Sequence, residues 1–283
     1  MIRIIVVILL LDLLLAGCQS FENIRESGNS SQPPAPITVM TYNIRIGAGV
    51  QNWNRSPYKL KDEVTLNLNP IANAIRSINP DIVGLQEVLG ISQAAYLGKT
   101  LNMNYAYVPH GLSGSGGWWG VALLSKYRIL DVIRQEISWG PGNSKSILIA
   151  ILDISGRQIA VSVIHKDHDL YDGASFHNIK KATDRLNMPM LLVGDFNIKP
   201  HDERHHILED RFLDSATQAD TQSARFVREL GTRLDSSLQG TGKRIDYVLV
   251  ERDRFRVLDS GTLANDHWEA SDHLAYYARL RLL

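Results

Sequence analysis

The feature that most constrains the fold is a recurring pattern of short, apolar, β-rich runs that meet a carboxylate, amide or imidazole at one end. Ile37–Ile44 is such a run and contains Thr41-Tyr42-Asn43-Ile44. Asp81–Val88 closes on Gly84-Leu85-Gln86-Glu87-Val88, and Gln158–His165 runs into Ile164-His165-Lys166-Asp167-His168. Met190–Val193 is followed by Gly194-Asp195-Phe196-Asn197. Ile245–Val250 opens on Arg244-Ile245-Asp246-Tyr247, and Leu274–Leu282 follows Ser271-Asp272-His273. Runs of this length, rich in Val, Ile, Tyr and Leu, read as strands. A polar group just past such a run is delivered to the edge of a sheet, where sites form.

Val121–Ser125 and Phe255–Leu263 are further strand candidates, and Ser146–Ile154 pairs with Gln158–His165 as a hairpin across Ser155-Gly156-Arg157. Asn69-Pro70 opens a helix, with proline at its first position. Ile71, Ala74, Ile75 and Ile78 fall on one face of it, and Asn79-Pro80 stops it. Residues 175–186 read as a second helix. Many strands with few helices point to an α+β chain, two sheets packed together with helices outside. No internal repeat or second linker is visible, so residues 37–283 read as one domain.

The amino end has a different character. Residues 1–17, MIRIIVVILLLDLLLAG, read as a signal peptide: Arg3 supplies a short positive region and Ile4 to Leu15 an apolar one too short to span a bilayer comfortably. Leu15-Ala16-Gly17-Cys18 resembles a bacterial lipobox, in which the cysteine is acylated and the chain is cut before it. Asp12 is atypical inside such a region. Cys18 is the one cysteine of the chain, which excludes an intrachain disulfide. Residues 18–36 are polar, then Ser-rich, then Pro-rich, a linker with a reach of roughly 25 Å. The expected location is the bacterial cell envelope, lipid-anchored through Cys18; by resemblance to enterobacterial lipoproteins, Gln19 after the cysteine favours the outer membrane, on either its periplasmic or its surface side.

Thirty basic residues balance thirty acidic ones. This excludes a protein that holds nucleic acid by charge alone, but not a nuclease, because a bound metal can supply the positive charge at a phosphate.

Singly, the polar strand ends have plainer readings. Glu87 fits a solvated strand end, Asn43 a turn residue and His165 a satisfied core histidine. Asp195-Phe196-Asn197 fits an ordinary turn, and Asp272-His273 the start of a strand. Together and in order, TYNIR (41–45), PDIVGLQEV (80–88), GVALLSK (120–126), IHKDH (164–168), LLVGDFN (191–197), RIDYVLV (244–250) and SDH (271–273) resemble the endonuclease/exonuclease/phosphatase superfamily, the deoxyribonuclease-I-like fold. The resemblance covers nearly all of residues 37–283 and implies a four-layered αββα sandwich of two mostly antiparallel sheets. It departs at Ile164-His165-Lys166, where the family usually has Thr-His-Leu.

The resemblance also implies roles. Glu87 matches the family's principal metal carboxylate, with Asn43 and Asp272 as supporting ligands. The cofactor is then Mg²⁺, for which Mn²⁺ substitutes; it is a hard ion that takes oxygen ligands. Asp195 matches the carboxylate that orients or deprotonates the attacking water, and Asn197 the amide that holds that water or a phosphate oxygen. His273 matches the imidazole that contacts the phosphate, Asp246 the carboxylate that orients it, and His165 a second imidazole near the leaving oxygen. The expected activity is hydrolysis of phosphate esters without a covalent intermediate. Nucleic acid is the first substrate class; phospholipids including sphingomyelin, and phosphoinositides or other small phosphates, are the alternatives. A non-catalytic binding module is the distant one, opposed by eight chemically competent positions. Specificity is expected in loops 47–68, 110–120 and 218–243. No protein partner is implied.

Other signals carry less. His201 and His205 in PHDERHHILED have helical zinc-pair spacing, but an exposed polar helix after Pro200 is the plainer reading. Gly111–Gly117 lacks the context of a phosphate-binding loop. Trp118-Trp119 fits either a lipid interface or packing against the sheet.

Overall fold

The computed structural model describes residues 35–50, 55, 61–110, 119–138, 144–166, 173–234, 241–263 and 267–283. The signal peptide, Cys18 and most of the linker lie outside these residues, as do Gly111–Gly117, Trp118, Asp167 and His168.

In chain order the strands are β1 (Ile37–Asn43), β2 (Ile82–Leu89), β3 (Asn104–Pro109), β4 (Trp119–Ser125), β5 (Arg128–Ser138), β6 (Lys145–Ile154), β7 (Arg157–His165), β8 (Met190–Asp195), β9 (Phe212–Asp214), β10 (Arg233–Leu234), β11 (Thr241–Lys243), β12 (Asp246–Glu251), β13 (Phe255–Thr262) and β14 (Tyr276–Leu282). The helices are α1 (Asn69–Ile78), α2 (Ile91–Leu101), α3 (Gly173–Thr183), α4 (His206–Glu209), α5 (Ser215–Gln218) and α6 (Gln222–Leu230). Two six-stranded sheets form, in the orders β13-β14-β1-β2-β4-β3 and β5-β6-β7-β8-β12-β9. Each is antiparallel except for one pair, β1 with β2 in the first and β7 with β8 in the second. A parallel pair needs a crossover, and α1 and α3 lie in the two crossover segments.

Between the sheets the inward residues of both interdigitate, among them Val39, Ile82 and Leu123 from one and Leu148, Val161, Val193 and Val248 from the other. α1 and α2 cover the outer face of the first sheet through Ile71, Ala74, Ile75, Ala94 and Leu97. Phe176 and Ile179 of α3 and Leu208 of α4 cover the second. This is the αββα order. Each fully buried Val, Leu, Ile or Phe stabilises the fold by about 1.5–3 kcal/mol. The sheets approach closely at Gly84, where an added Cβ would lie 2.5 Å from Val193 Cγ2.

Local chemistry sets the element ends. Pro70 stands in the first turn of α1, and Asn79 caps it in the left-handed region with its N–H donated to the Ile75 carbonyl. The β6–β7 hairpin turns on Ser155 and Gly156, both at positive φ. That is the two-residue turn that matches strand twist, one residue tighter than the sequence suggests. The second expected helix runs Gly173–Thr183 and stops short of Leu186; Thr183 returns its hydroxyl to the Lys180 carbonyl.

Candidate active site

The topology brings the polar strand ends to one end of the sandwich. β1 and β2 run parallel, so Asn43 and Glu87 leave the first sheet together. β7 and β8 run parallel with His165 in register with Asp195. β12 is antiparallel to β8 and opens there, placing Asp246 opposite Asp195. Asp272 and His273 precede β14, which pairs with β1. Gly194 permits close packing of β7 on β8: a Cβ there would meet the Ile164 carbonyl oxygen at 2.0 Å.

Asp195 Oδ2 is the centre of the cluster. Asn43 Nδ2 donates to it at 3.2 Å, while His273 Nε2 and His165 Nε2 stand 3.7 and 3.9 Å away. The same Asn43 nitrogen lies 3.2 Å from Glu87 Oε1, which is 3.8 Å from His165 Nε2. Asp246 Oδ2 is 2.9 Å from His273 Nδ1. The backbone N–H of Asn197 donates to Asp195 Oδ1 at 2.9 Å, and its side-chain amide donates to the Lys166 carbonyl at 2.7 Å. Asp272 lies beside two guanidinium groups, 3.9 Å from Arg45 and 3.7 Å from Arg233.

Several of these residues hold unusual backbone. The β2–β4 register shifts between Leu85 and Val88, and Glu87 stands in that bulge with φ of 52°. A bulge re-aims a side chain at the cost of the ladder, and the Thr41 hydroxyl, donated to Gln86 Oε1, secures the displaced neighbour. Asn197 has the same φ of 52°, and Arg45 and Ile46, which follow Asn43 after Ile44, are also at positive φ. Backbone strain of this kind collects where geometry serves a site.

Electrostatics follow from burial and crowding. Burial and the nearby Asp272 hold the Glu87 carboxyl above its usual range. Burial and the Asp246 charge push Asp195 up to about 7, against the pull of His273 and Asn43. Burial alone would lower His273; the Asp246 and Asp195 carboxylates outweigh it and push the imidazole up to about 10. The two carboxylates thus favour the charged form of His273, whose Nε2 lies 3.7 Å from Asp195 Oδ2.

Two observations bear on a metal. Glu87 Oε2 and Asp246 Oδ1 are buried atoms without a hydrogen-bond partner among the described residues. Asp195, Asp246 and His273 place one ligand atom each within 4.8 Å of one another, a group that could hold a metal ion. Asn43, as oriented, turns its nitrogen to Glu87 and Asp195 while its oxygen accepts the Arg45 N–H.

The family model described as the Endonuclease/Exonuclease/phosphatase family matches residues 40–273. The chain belongs to this family. It is 24% identical over 251 residues to the inositol phosphosphingolipids phospholipase C of Saccharomyces cerevisiae, covering 72% of the chain and 53% of that protein. It is 26% identical over 226 residues to Nocturnin of Rattus norvegicus, covering 70% of the chain and 52% of that protein. The chain thus spans about half the length of these curated relatives. Among solved structures, the mannosyl-6-phosphatase of Bacteroides thetaiotaomicron superposes with a TM-score of 0.66 at 20% identity, covering 86% of this chain and 99% of that one.

In this family member the structure gathers Asn43, Glu87, His165, Asp195, Asn197, Asp246 and His273 into one connected set, with Asp272 at its margin between two arginines. Sequence reasoning assigned no part to the residues that brace the set. Thr232 Oγ1 accepts the N–H groups of Ile245 and Asp246 at 3.1 Å. Ser271 Oγ donates to the Asn43 carbonyl at 2.7 Å and accepts the His273 N–H, tying β1 to the histidine segment. Arg45 is fully buried and donates to the carbonyls of Gly49 and Arg55. Ser271 and Arg45 stand inside matched motifs; Thr232 has no local signal.

Of the weaker signals, those at His201, His205 and Trp119 resolve, while Gly111–Gly117 and Trp118 lie outside the described residues. PHDERHHILED is not an exposed polar helix throughout. His205 is buried, its ring 4.8 Å from Tyr247 and 6.4 Å from Phe176, while His201 and His206 are exposed. The segment is a 3-10 turn followed by α4, so 3.6-residue spacing does not apply along it. Trp119 packs inward, edge-on to His165, beneath Lys145 Nζ at 4.3 Å.

Proposed function

We propose that this chain is a metal-dependent hydrolase of phosphate esters. The observation that carries the reading is the arrangement around Asp195 Oδ2: a carboxylate poised near neutrality, an amide and two imidazoles, supplied by both sheets. Asp195 orients the attacking water and takes its proton, since a base works best with a pKa near the working pH. The His273 imidazolium, held by Asp246, contacts a phosphoryl oxygen and stabilises the charge that develops there. His165, 3.9 Å from Asp195 Oδ2, serves the leaving oxygen. Asn197 holds Asp195 in place through its backbone N–H.

Glu87 would hold the cation, Mg²⁺ by preference, with Asn43 and Asp272 in support. Glu87 Oε2, without a hydrogen-bond partner among the described residues, and an oxygen-rich donor set fit a hard ion. When bound, the ion supplies positive charge at the phosphoryl group. Asn43 would need to present its oxygen, which now accepts the Arg45 N–H.

Nucleic acid remains the first substrate class. A phospholipid diester is the second reading, favoured by similarity to a phosphosphingolipid phospholipase C and by the lipobox-like Leu15-Ala16-Gly17-Cys18, which would tether the domain to a bacterial membrane. The packing of Trp119 against His165 weakens one reason to prefer lipid, while Trp118 lies outside the described residues. The test is turnover of plasmid DNA, sphingomyelin vesicles and a phosphoinositide panel by the purified chain, with Mg²⁺ and with EDTA. Metal-dependent cleavage of one class supports the reading, and no turnover of any of them overturns it.

A further inference from the structure

His110 follows β3 directly and is buried at the end of the sandwich that carries the site. Its backbone N–H donates to the Trp119 carbonyl at 3.0 Å, extending the β3–β4 ladder by one bond. Its Nδ1 accepts the backbone N–H of Ser146 at 3.1 Å. Ser146 belongs to β6, so this side chain ties one sheet to the other. The bond also fixes the tautomer: with Nδ1 an acceptor, the proton is on Nε2. Nε2 is buried and has no hydrogen-bond partner among the described residues. Burial and the neighbouring Lys145 charge hold this imidazole well below its ordinary value.

Three rings meet here. The His110 and His165 centroids are 5.7 Å apart, Trp119 stands edge-on to His110 at 5.7 Å, and it stands edge-on to His165 at 5.5 Å. His165 Nε2 faces Glu87 Oε1 and Asp195 Oδ2 at 3.8 and 3.9 Å. A histidine that served packing alone would be a poor choice, because a buried N–H without a partner costs stability that an apolar side chain would not.

We propose that His110 is a positioning residue for His165: with Trp119 it forms an aromatic bracket, anchored across the sheets by Ser146, that aims His165 Nε2 into the gap between Glu87 and Asp195. A group that exchanges a proton with a leaving oxygen must be held to within 10–20° of its productive direction, and ring contacts from His110 and Trp119 supply such a constraint. This rests on the reading of His165 as a group of the hydrolytic site.

The test is a double-mutant cycle on the full chain with the substrate that the wild type turns over, joined to ¹⁵N–¹H NMR of the histidine side chains. His110→Ala lowers kcat on the order of 10-fold with KM nearly unchanged, as for a misaligned catalytic group. In a His165→Ala background the same substitution changes kcat by less than about 2-fold, because the positioned ring is already absent. The His165 ring signals shift in His110→Ala. His110→Gln, which keeps an acceptor for the Ser146 N–H but loses the ring, gives the same pattern and serves where alanine does not fold. An equal loss in both backgrounds, or His165 signals that stay in place, overturns the proposal. If His165→Ala itself keeps wild-type kcat, the catalytic reading of His165 fails, and the NMR arm alone decides whether the bracket sets the ring.

Discussion

Asp246 Oδ2 lies 2.9 Å from Nδ1 of His273, and both groups are buried. The pair fixes the imidazole with its other nitrogen 3.7 Å from Asp195. A carboxylate so placed favours the charged ring, which is why His273 is pushed up to about 10 despite burial. Asp246→Asn removes that charge, so the His273 pKa falls and the imidazolium is lost at lower pH. The alkaline limb of kcat/KM therefore moves to lower pH in Asp246→Asn, and at neutral pH the loss is smaller than in His273→Ala, which deletes the ring. A pH profile with an unmoved alkaline limb contradicts the role given to Asp246.

Glu87 combines a buried oxygen that has no hydrogen-bond partner among the described residues with a carboxyl held above its usual range by burial and Asp272. Such a group is stabilised by a cation. Glu87→Gln is expected to abolish most Mg²⁺-dependent turnover, and in calorimetric titration to weaken Mg²⁺ binding on the order of 10-fold or more. Wild-type affinity in that variant means that the metal is held elsewhere, with the Asp195, Asp246 and His273 group as the next place to test.

Gly84 tests the packing of the sheets. A methyl group there must displace Val193, whose Cγ2 would be 2.5 Å away, and press on Val163 at 3.2 Å. Overpacking of this kind costs typically about 1–3 kcal/mol, so Gly84→Ala should unfold at clearly lower denaturant with an unchanged slope. An unaltered midpoint would show that the core yields there.

The amino-terminal reading has its own test. Acylation of Cys18 and cleavage of Gly17-Cys18 give a membrane-bound protein without Met1, and Cys18→Ser releases it. Mass spectrometry and fractionation of both forms decide the matter; an intact Met1, or a membrane-bound serine variant, sinks it.

Much of the site was legible because its determinants are local. Asn43, Glu87, His165, Asp195 and Asp246 each stand at the end of a strand, and period and composition mark strands well. His110 obeys the same rule, closing Ala106-Tyr107-Val108-Pro109, and could have been found by applying it once more. What was not legible depends on tertiary pairing. The bulge that turns Glu87 is set by β4, the bond that fixes His110 comes from β6, and His205 is buried only because Tyr247 and Phe176 meet it. β5 escaped notice because, as an edge strand with much of its surface exposed, it lacks the apolar run that reveals the central strands.

The most direct measurement is kcat of folded Asp195→Asn on the substrate identified by the panel, with the melting temperature of the same preparation. The expected result is a fall in kcat on the order of 10²-fold or more, with a melting temperature equal to or above that of the wild type. The buried carboxylate beside Asp246 opposes folding, and the amide relieves it. A folded Asp195→Asn protein with near-native kcat would contradict the placing of the reaction at this carboxylate.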